Sequence, residues 1–466
     1  MVDSWATFGI DLHLEAGRPR VRAGLESALR EAVRSGRLEP GSRVPSSRSL
    51  ASDLGVARNT VAEVYSQLIA EGWLVSRHGS GTRVADGVAG NEQPSATAEP
   101  TSQPRYDLRP GSPDTSSFPR SAWLSAARRA LLTAPPESLG YGDARGLIEL
   151  RRALAGYLSR ARGVYAKPER VIVCAGFTQA LDLLSRALRG RGAKALAMEA
   201  YGIGAHRRIV VADGLGIQPL AVDDRGADTA QLGDADAVLL TPAHQFPLGV
   251  SLAPQRRTAA ISWTAAGGGF VIEDDYDGEF RYDRQPVGAM QALAPERVIY
   301  VGTASKSLAP GLRLGWLVVP GALIDEVVEV QRLTTHGVSA VDQLTLAGMI
   351  ESGAYDRHIR RSRLVYRRRR DRLIETIAAS ASEVQPTGIA AGLHALLRLP
   401  GSWSEDEVIA RAAQHGVALQ GLSAYGPPPR APAIVLGYGT PPEHSYTTAL
   451  ARLAAVLTAF ARLVYP

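Results

Sequence analysis

The apolar positions of the first 85 residues predict three helices and a β-hairpin. They recur at helical intervals over 22–37, again in a short stretch that ends at Gly55, and again from near Arg58 to Gly72. The segment 73–84 is rich in β-formers and contains a cluster of glycines, which predicts a hairpin with a glycine-rich tip. Two helices joined by a short glycine turn are typical of a helix-turn-helix.

The remainder of the chain shows a different pattern. After Tyr106, short apolar runs alternate with amphipathic helical stretches, which predicts an α/β unit with a largely parallel central sheet. The predicted strands are 171–174, 236–240, 270–273 and 297–301. Between the two patterns lies a stretch rich in Gly, Pro, Ser, Thr and Ala that predicts a flexible linker. We therefore expect a small domain at 1–85, a linker at 86–105 and a large domain at 106–466.

Length and composition limit the class of protein. A chain of 466 residues favours at least two domains, and 45% hydrophobic with 21% charged residues is ordinary for a globular protein. No run of eighteen apolar residues predicts a membrane span, and the N-terminus lacks a signal-peptide pattern. The single cysteine, Cys174, falls in a predicted buried strand. We expect a cytoplasmic protein without disulfides or metal.

The types of basic residue say more about function than the net charge does. A net charge of +6 is compatible with nucleic-acid binding but does not require it. Only three of the 52 basic residues are lysines, namely Lys167, Lys194 and Lys306. Arginine cannot form a Schiff base, because its guanidinium stays protonated. The lysine kept between two serines, Lys306, is therefore a candidate for amine chemistry.

The start of the third predicted helix carries side chains suited to DNA. Arg58, Asn59 and Thr60 offer a bidentate donor, an amide and a hydroxyl at the position of a recognition-helix N-terminus. The hairpin that follows would bring Arg77 to the minor groove. The alternative is a small helical module for protein contacts, and the charge alone does not separate the two.

Three sequence motifs in this unit distinguish DNA binding from the alternative of protein contacts. Pro-Ser-x-Arg-x-Leu-Ala begins at Pro45, Leu-Gly-Val-x-Arg-x-Thr-Val at Leu54 and Gly-Ser-Gly-Thr-x-Val at Gly79. The unit thus resembles the winged helix-turn-helix of the GntR superfamily. That resemblance implies double-stranded DNA as a partner. The DNA-contacting candidates are Ser46, Arg48, Arg58, Asn59, Thr60, Arg77, His78 and Gly79.

The large domain carries residues suited to pyridoxal 5'-phosphate (PLP). Lys306 can supply the amine for the PLP aldehyde, while Ser305 and Arg313 can bind its phosphate. Asp274, at the end of a predicted strand, can keep the pyridine nitrogen protonated, and Tyr276 can bond the phenolic oxygen. A glycine turn before Thr178 predicts a further phosphate site at a helix start.

The joint order of these segments resembles fold-type I PLP enzymes of the aspartate aminotransferase superfamily, over about 106–466. The resemblance implies Lys306 as the Schiff-base lysine and PLP as the cofactor. The cofactor-binding candidates are Lys306, Asp274, Tyr276, Thr178, Phe177, Ser305, Arg313, Thr303, His244, Gln245 and Tyr201. A GntR-type domain, a linker and this domain together resemble the MocR/GabR regulators. Such regulators are typically head-to-tail homodimers.

The sequence departs from amino-acid-sensing members of that group. Such members are expected to hold a carboxylate with arginine, and the run 434–438 has none where one is expected. The loop 200–207 is shortened, although Tyr201 is placed to stack on the ring and Arg207 is close to the site. Two effectors stay open. One is an amine or a non-carboxylate such as a sulfonate. The other is PLP itself, which we favour, as in regulators of vitamin B6 synthesis.

Three functions are compatible with this architecture. The first, which we favour, is a transcription regulator whose PLP state changes how the DNA-binding domains engage an operator. The second is a working aminotransferase with an accessory DNA-binding domain. The third, a scaffold that has lost PLP, is disfavoured by Lys306, Asp274, Tyr276 and Arg313 together. The basic run 357–372 is either a second DNA contact or a solvated helix face.

Overall fold

A computed structural model describes residues 21–77, 81–86, 104–267, 269–282, 287–429 and 431–464. The chain divides into two compact units, Met1–Ser102 and Gln103–Pro466. The predicted linker 86–105 lies almost entirely outside the described residues. No helix in the described ranges combines the length and apolarity needed to cross a lipid bilayer.

The first unit contains the three helices and the hairpin that its apolar pattern predicts. Its elements are α1 Val21–Arg34, α2 Ser47–Leu54, α3 Arg58–Ala70, β1 Leu74–Arg77 and β2 Gly81–Val84. Gly55 ends α2 in the left-handed region at φ 64°, where glycine meets no steric penalty. This glycine therefore makes the turn between α2 and α3.

The core of this unit is formed by the helical apolar positions. Leu25 and Leu29 of α1 pack with Leu50 of α2 and with Val61 and Leu68 of α3, and all five are buried. Strands β1 and β2 pair antiparallel, with Leu74 opposite Val84. The winged helix-turn-helix expected from the sequence is thus the observed fold.

The second unit is an α/β domain. Its helices are α4 Arg120–Thr133, α5 Ile148–Arg162, α6 Phe177–Gly190, α7 Gly204–Ala212, α8 Pro254–Gly267, α9 Ile324–Thr334, α10 Ala340–Glu351, α11 Ala354–Ser380, α12 Glu405–Gln414 and α13 Glu443–Val464. Its strands are β3 Tyr106–Asp107, β4 Val171–Cys174, β5 Ala195–Glu199, β6 Gly216–Leu220, β7 Val222–Asp223, β8 Gly226–Ala227, β9 Ala237–Leu240, β10 Phe270–Asp274, β11 Val298–Thr303, β12 Gly315–Val318, β13 Gln385–Thr387, β14 His394–Arg398, β15 Val417–Ala418, β16 Gln420–Gly421 and β17 Ala433–Gly437.

The central sheet of the described domain has the strand order β4-β12-β11-β10-β9-β5-β6. Strands β11, β10, β9, β5 and β6 are parallel to one another, and β12 is antiparallel to both β11 and β4. The expectation of a largely parallel sheet is confirmed with this one exception. Cys174, in β4, is buried, so its thiol is inaccessible to solvent as the apolar run predicts.

A smaller antiparallel sheet with the order β13-β14-β17-β16 follows the central sheet in the chain. Strand β14 begins at His394, which is buried together with the next three residues up to Leu397. Because β14 pairs with β17, the run 434–438 that lacks the expected arginine lies beside His394 in this small sheet.

Candidate functional site

A cavity of about 460 Å³ lies at the carboxyl ends of the central strands. Asp274 ends β10, Thr303 ends β11, and Lys306 follows shortly afterwards. Parallel strands of an α/β sheet deliver their following loops to one edge, where ligands usually bind. Nine of the eleven cofactor-binding candidates line this cavity: Phe177, Thr178, Tyr201, Asp274, Tyr276, Thr303, Ser305, Lys306 and Arg313.

Lys306 is half-buried in the cavity wall, and its Nζ donates a hydrogen bond to the carbonyl oxygen of Gly111. Burial lowers the pKa of this ammonium below its usual value, against the opposing attraction of Asp277 and Asp274. A lower pKa increases the fraction of neutral amine, which is the nucleophilic form. The side chain is therefore suited to attack a carbonyl group.

Asp274 lies in the same cavity and is buried, and its Oδ1 has no hydrogen-bond partner among the described residues. Burial raises the pKa of this carboxyl well above its ordinary value, and the neighbouring carboxylates of Asp275 and Asp277 add to the increase. A buried acceptor without a donor is unfavourable. A protonated pyridine nitrogen beside Oδ1 would supply both the missing donor and the missing positive charge.

An anion-binding arrangement lies at the start of α6. Gly176 precedes the helix with φ 88°, and a Cβ at this position would lie 3.7 Å from Nη1 of Arg313 and 3.9 Å from Oγ1 of Thr303. Thr303 Oγ1 in turn donates to Ser305 Oγ at 2.8 Å. A helix N-terminus, hydroxyl groups and a guanidinium are the donors that bind phosphate in proteins. The residues present thus fit the phosphate of PLP as well as its ring nitrogen.

His244 and Gln245, the other two candidates, do not line the cavity but lie behind it. His244 Nδ1 is 2.8 Å from Asp277 Oδ2 and 3.3 Å from the hydroxyl of Tyr276. Gln245 donates from Nε2 to Glu199 Oε2 at 3.1 Å and to the carbonyl oxygen of Tyr201 at 3.1 Å. These two residues therefore hold side chains and backbone of the wall in place.

Several residues of the cavity wall were not predicted from the sequence. Glu199, Phe246, Asp277, His394 and Tyr425 all line the cavity. Asp277 belongs to the acidic run after β10. Its closeness to Asp274 in the sequence is a signal that places it near the cavity. His394 and Tyr425 come from the small sheet and its connecting loop, and nothing local in the sequence distinguishes them from other residues of a buried strand or turn.

Arg207 is on the cavity wall, as its position near Tyr201 suggested. Its Nη2 donates to the carbonyl oxygens of Glu199 and Ala200 at 2.6 and 2.7 Å, and its Nη1 lies 3.5 Å from that of Gly202. Both terminal nitrogens are thus engaged by the backbone. In this arrangement the guanidinium does not present the two parallel donors that bind a carboxylate.

The DNA-contacting candidates of the first unit lie at two helix starts and on the hairpin. Arg48, Arg58, Asn59 and Arg77 are exposed, and Thr60 is half-buried. Ser46 caps α2, because its side chain accepts a hydrogen bond from the Ser49 amide. His78 and Gly79 lie outside the described residues. The start of α3 is exposed, and contact of these residues with DNA stays a prediction.

The basic run 357–372 belongs to helix α11, which carries nine arginines and three acidic residues. Arg369 is buried, where its Nη2 pairs with Asp114 and Glu443 at 2.8 Å. Arg360, Arg361, Arg368 and Arg372 are exposed. The run therefore combines one structural arginine with an exposed basic face, and contact of that face with DNA stays a prediction.

Residues 108–431 match the family Aminotransferase class I and II, and residues 22–84 match the family Bacterial regulatory proteins, gntR family. Kynurenine aminotransferase of Pyrococcus horikoshii superimposes with a TM-score of 0.69 at 24% identity, over 77% of this chain and 92% of that one. LysN, the α-aminoadipate aminotransferase of Thermus thermophilus, gives a TM-score of 0.68 at 22% identity, over 77% and 93%. The large domain thus has the fold of these enzymes.

Relatives that span both domains are named as regulators. The uncharacterized HTH-type transcriptional regulator YdeL of Bacillus subtilis is 36% identical, covering 92% of this chain and 94% of its own length. The pyridoxine biosynthesis regulator PdxR of Corynebacterium glutamicum is 34% identical over 92% and 94%. The probable rhizopine catabolism regulatory protein MocR of Rhizobium meliloti is 35% identical over 89% of each chain.

The fold and these matches define the class: the chain joins a gntR-family DNA-binding domain to a domain of the aminotransferase class I and II family. Within that class, the chain belongs to the HTH-type transcriptional regulators of the MocR/GabR type. The resemblance stated from the sequence motifs is confirmed.

Proposed function

We propose that this regulator holds PLP on Lys306 and that ligand chemistry in the cavity changes how its DNA-binding domain engages an operator. The observation that carries this proposal is the arrangement of Lys306, Asp274 and Arg313 around one cavity. Lys306 offers an amine with a lowered pKa, Asp274 an unpaired buried carboxyl oxygen, and Arg313 a guanidinium at a helix N-terminus. PLP supplies an aldehyde that condenses with primary amines, and a ring that withdraws electrons.

The cavity residues explain how a ligand could act as a signal. Nζ of Lys306 donates to the Gly111 carbonyl, so a ligand that reacts with this amine would change the contact between Lys306 and the loop at Gly111. A ligand shifts a conformational equilibrium only by its differential affinity for the two states. The proposed signal is either PLP itself, as the name of the Corynebacterium relative suggests, or an amine that competes with Lys306 for the cofactor.

The proposed assembly is a head-to-tail homodimer in the cytoplasm. Helix α4 exposes Leu124, Leu131 and Leu132, which are 69%, 59% and 74% accessible, and Tyr141 is 91% accessible. Exposed apolar residues clustered on one helix are typical of a surface that is covered by a partner. The buried reduced Cys174 suits a reducing compartment.

A second candidate function is amino-group transfer, because the large domain has the aminotransferase fold. We propose instead that the domain acts as a sensor. Arg207 on the cavity wall, whose guanidinium could otherwise bind a substrate carboxylate, is engaged by backbone carbonyls. Sustained conversion of an amino acid and a keto acid by the purified protein would contradict the sensor proposal.

The experiment tests which of the three lysines of the chain binds PLP. The purified full-length protein is mixed with PLP, its visible absorbance is recorded, and the complex is reduced with borohydride and mapped by peptide mass spectrometry. We expect one label, on the peptide that contains Lys306. Lys167→Ala and Lys194→Ala, both at exposed positions, serve as matched controls and keep the band.

Lys306→Ala is expected to lose the band and the label. A band that persists in Lys306→Ala, or a label on another lysine, would overturn the assignment of the cofactor site. Mobility shift of a DNA fragment from upstream of the protein's own gene, with and without PLP, then tests the link to the operator. If the affinity for the DNA fragment is the same with PLP, without PLP and with every amine of a panel, the sensing proposal is contradicted.

A further inference from the structure

The cavity has an aromatic side, which adjoins the residues that fit PLP. Tyr201, Phe246, His394 and Tyr425 form a contiguous group, which we call the aromatic wall. The Phe246 ring meets His394 at 5.1 Å and Tyr425 at 5.0 Å, both edge to face. The amide of Gly202 donates to the Tyr425 carbonyl oxygen at 2.8 Å, which joins the loop of Tyr201 to the same group. A ligand that reaches past the cofactor would meet this wall.

The cations near the wall in the described residues are already engaged, including Arg109 near Tyr425, whose Nε and Nη2 pair with Asp107 at 2.9 and 2.7 Å. The terminal nitrogens of Arg207 are engaged by backbone carbonyls. His206 packs against the Phe177 ring at 4.7 Å, and burial lowers the pKa of His206 to about 4. Arg313 lies beside Gly176 in the phosphate region. A carboxylate or sulfonate at the wall would therefore lose its hydration without a matching ion pair.

His394 offers the wall a hydrogen-bond acceptor. The residue is 5% exposed, and its ring bonds the backbone carbonyl of Pro247. Because a carbonyl only accepts, that ring nitrogen carries the hydrogen. The other nitrogen, Nε2, has no partner among the described residues. Burial lowers the pKa of His394 well below its usual value, so the ring is neutral and Nε2 holds a free lone pair.

The residues behind His394 support this assignment. The His244 ring lies 4.7 Å from the His394 ring and is itself bonded to Asp277 through Nδ1. His244 Nε2 likewise has no hydrogen-bond partner among the described residues. This part of the molecule therefore holds two buried imidazole nitrogens without a described partner. A buried acceptor such as His394 Nε2 favours a ligand that brings a donor.

We propose that the effector is a primary amine without an acidic group, that it carries a second hydrogen-bond donor, and that His394 Nε2 accepts from this donor. The second donor is a hydroxyl or an ammonium group. The inference rests on the proposed function, since the primary amine is the group that reacts with PLP held by Lys306. Amino alcohols and diamines belong to this ligand class, and ordinary amino acids do not.

The test uses four probes with the same four-carbon chain: 4-amino-1-butanol, 1,4-diaminobutane, butylamine and 4-aminobutanoate. Each is titrated into the full-length protein loaded with PLP, with absorbance and circular dichroism of the cofactor band as the readout. A parallel series of amino alcohols with two to five carbons varies the distance between the amine and the hydroxyl. We expect the alcohol and the diamine to act at concentrations about tenfold lower than butylamine, and 4-aminobutanoate to be weakest.

Variants of His394 separate this role from a structural one. His394→Leu, measured at a PLP concentration that loads the variant, is expected to lose the roughly tenfold preference for the alcohol over butylamine. His394→Gln retains a neutral polar group and is expected to restore part of the preference. His444→Phe, at an exposed position, is the matched control and should match the unmodified protein.

The outcomes are distinguishable. Stronger binding of 4-aminobutanoate than of the alcohol would overturn the inference, as would an unchanged preference in both His394 variants. If no amine in either series changes a PLP band that depends on Lys306, the inference fails and PLP loading stands. If the band itself is missing, the proposed function fails first.

Discussion

Two adjacent aspartates provide a sharp test of the cofactor site, because the fold places them in opposite environments. Asp275 is paired with Arg162 through two contacts of 2.7 and 2.9 Å, and both side chains are at most 2% exposed. Asp275 also accepts a hydrogen bond from Tyr300 at 2.8 Å. Asp274 has an unpaired Oδ1 in the cavity. The same Asp→Asn change should therefore act on stability at one position and on the cofactor at the other.

For Asp275→Asn, we expect a loss of about 3–5 kcal/mol in the free energy of unfolding, because the buried guanidinium of Arg162 loses its counter-charge. For Asp274→Asn, we expect a change below about 1 kcal/mol in the cofactor-free protein. The raised pKa of Asp274 means that its neutral acid form is favoured there, and asparagine resembles that form. The affinity for PLP should fall instead. A lost charge-assisted hydrogen bond of about 1.5–3 kcal/mol corresponds to roughly 10- to 150-fold.

The assay is thermal or urea unfolding of each cofactor-free variant, followed by PLP titration at a temperature where all variants are folded. The reasoning would be refuted if Asp274→Asn bound PLP as tightly as the unmodified protein. It would also be refuted if Asp275→Asn unfolded at the same denaturant concentration, since the buried ion pair would then have no energetic role.

Two further predictions concern DNA binding and pH. Arg58→Ala should weaken binding to the operator fragment by about 1–3 kcal/mol in a mobility-shift titration. Arg37→Ala, a control at an exposed position outside the motif, should have little effect. Equal losses of affinity in the two variants would contradict a base-reading role for Arg58. Burial and the nearby Asp275 raise the pKa of Glu279 to about 7. Between about pH 4.5 and 7 the unfolded chain releases the Glu279 proton and the folded chain keeps it, so stability falls as pH rises, by up to about 3 kcal/mol. Glu279→Gln should reduce that slope in urea unfolding, and an unchanged slope would argue against a neutral buried carboxyl at Glu279.

Much of the fold followed from local patterns. The helical spacing of Leu25 and Leu29 and the glycine turn at Gly55 predicted the helix-turn-helix, which the structure shows. The apolar runs predicted four strands of the central sheet to within two residues. The antiparallel direction of β12 was not predicted, because strand direction depends on the connection that precedes it rather than on the residues of the strand.

The sequence by itself determined the chemistry that the protein can offer. Lys306 and Asp274 stand at or just after the ends of apolar runs, and side chains at the ends of parallel strands meet at one edge of a sheet. The motifs around Arg58 likewise identified a DNA-binding unit without any tertiary information. These features are local, since a strand end or a helix start is defined by the polarity of a few neighbouring residues.

Only the tertiary structure decided what surrounds that chemistry. His394 is distant from Lys306 in the chain, belongs to the small antiparallel sheet, and enters the same cavity because of sheet packing. The pairing of Arg207 with backbone carbonyls and the burial of His394 determine which ligands the wall accepts. Neither is visible in the sequence, because hydrogen-bond partners and burial depend on groups that are far apart in the chain and meet only when it folds.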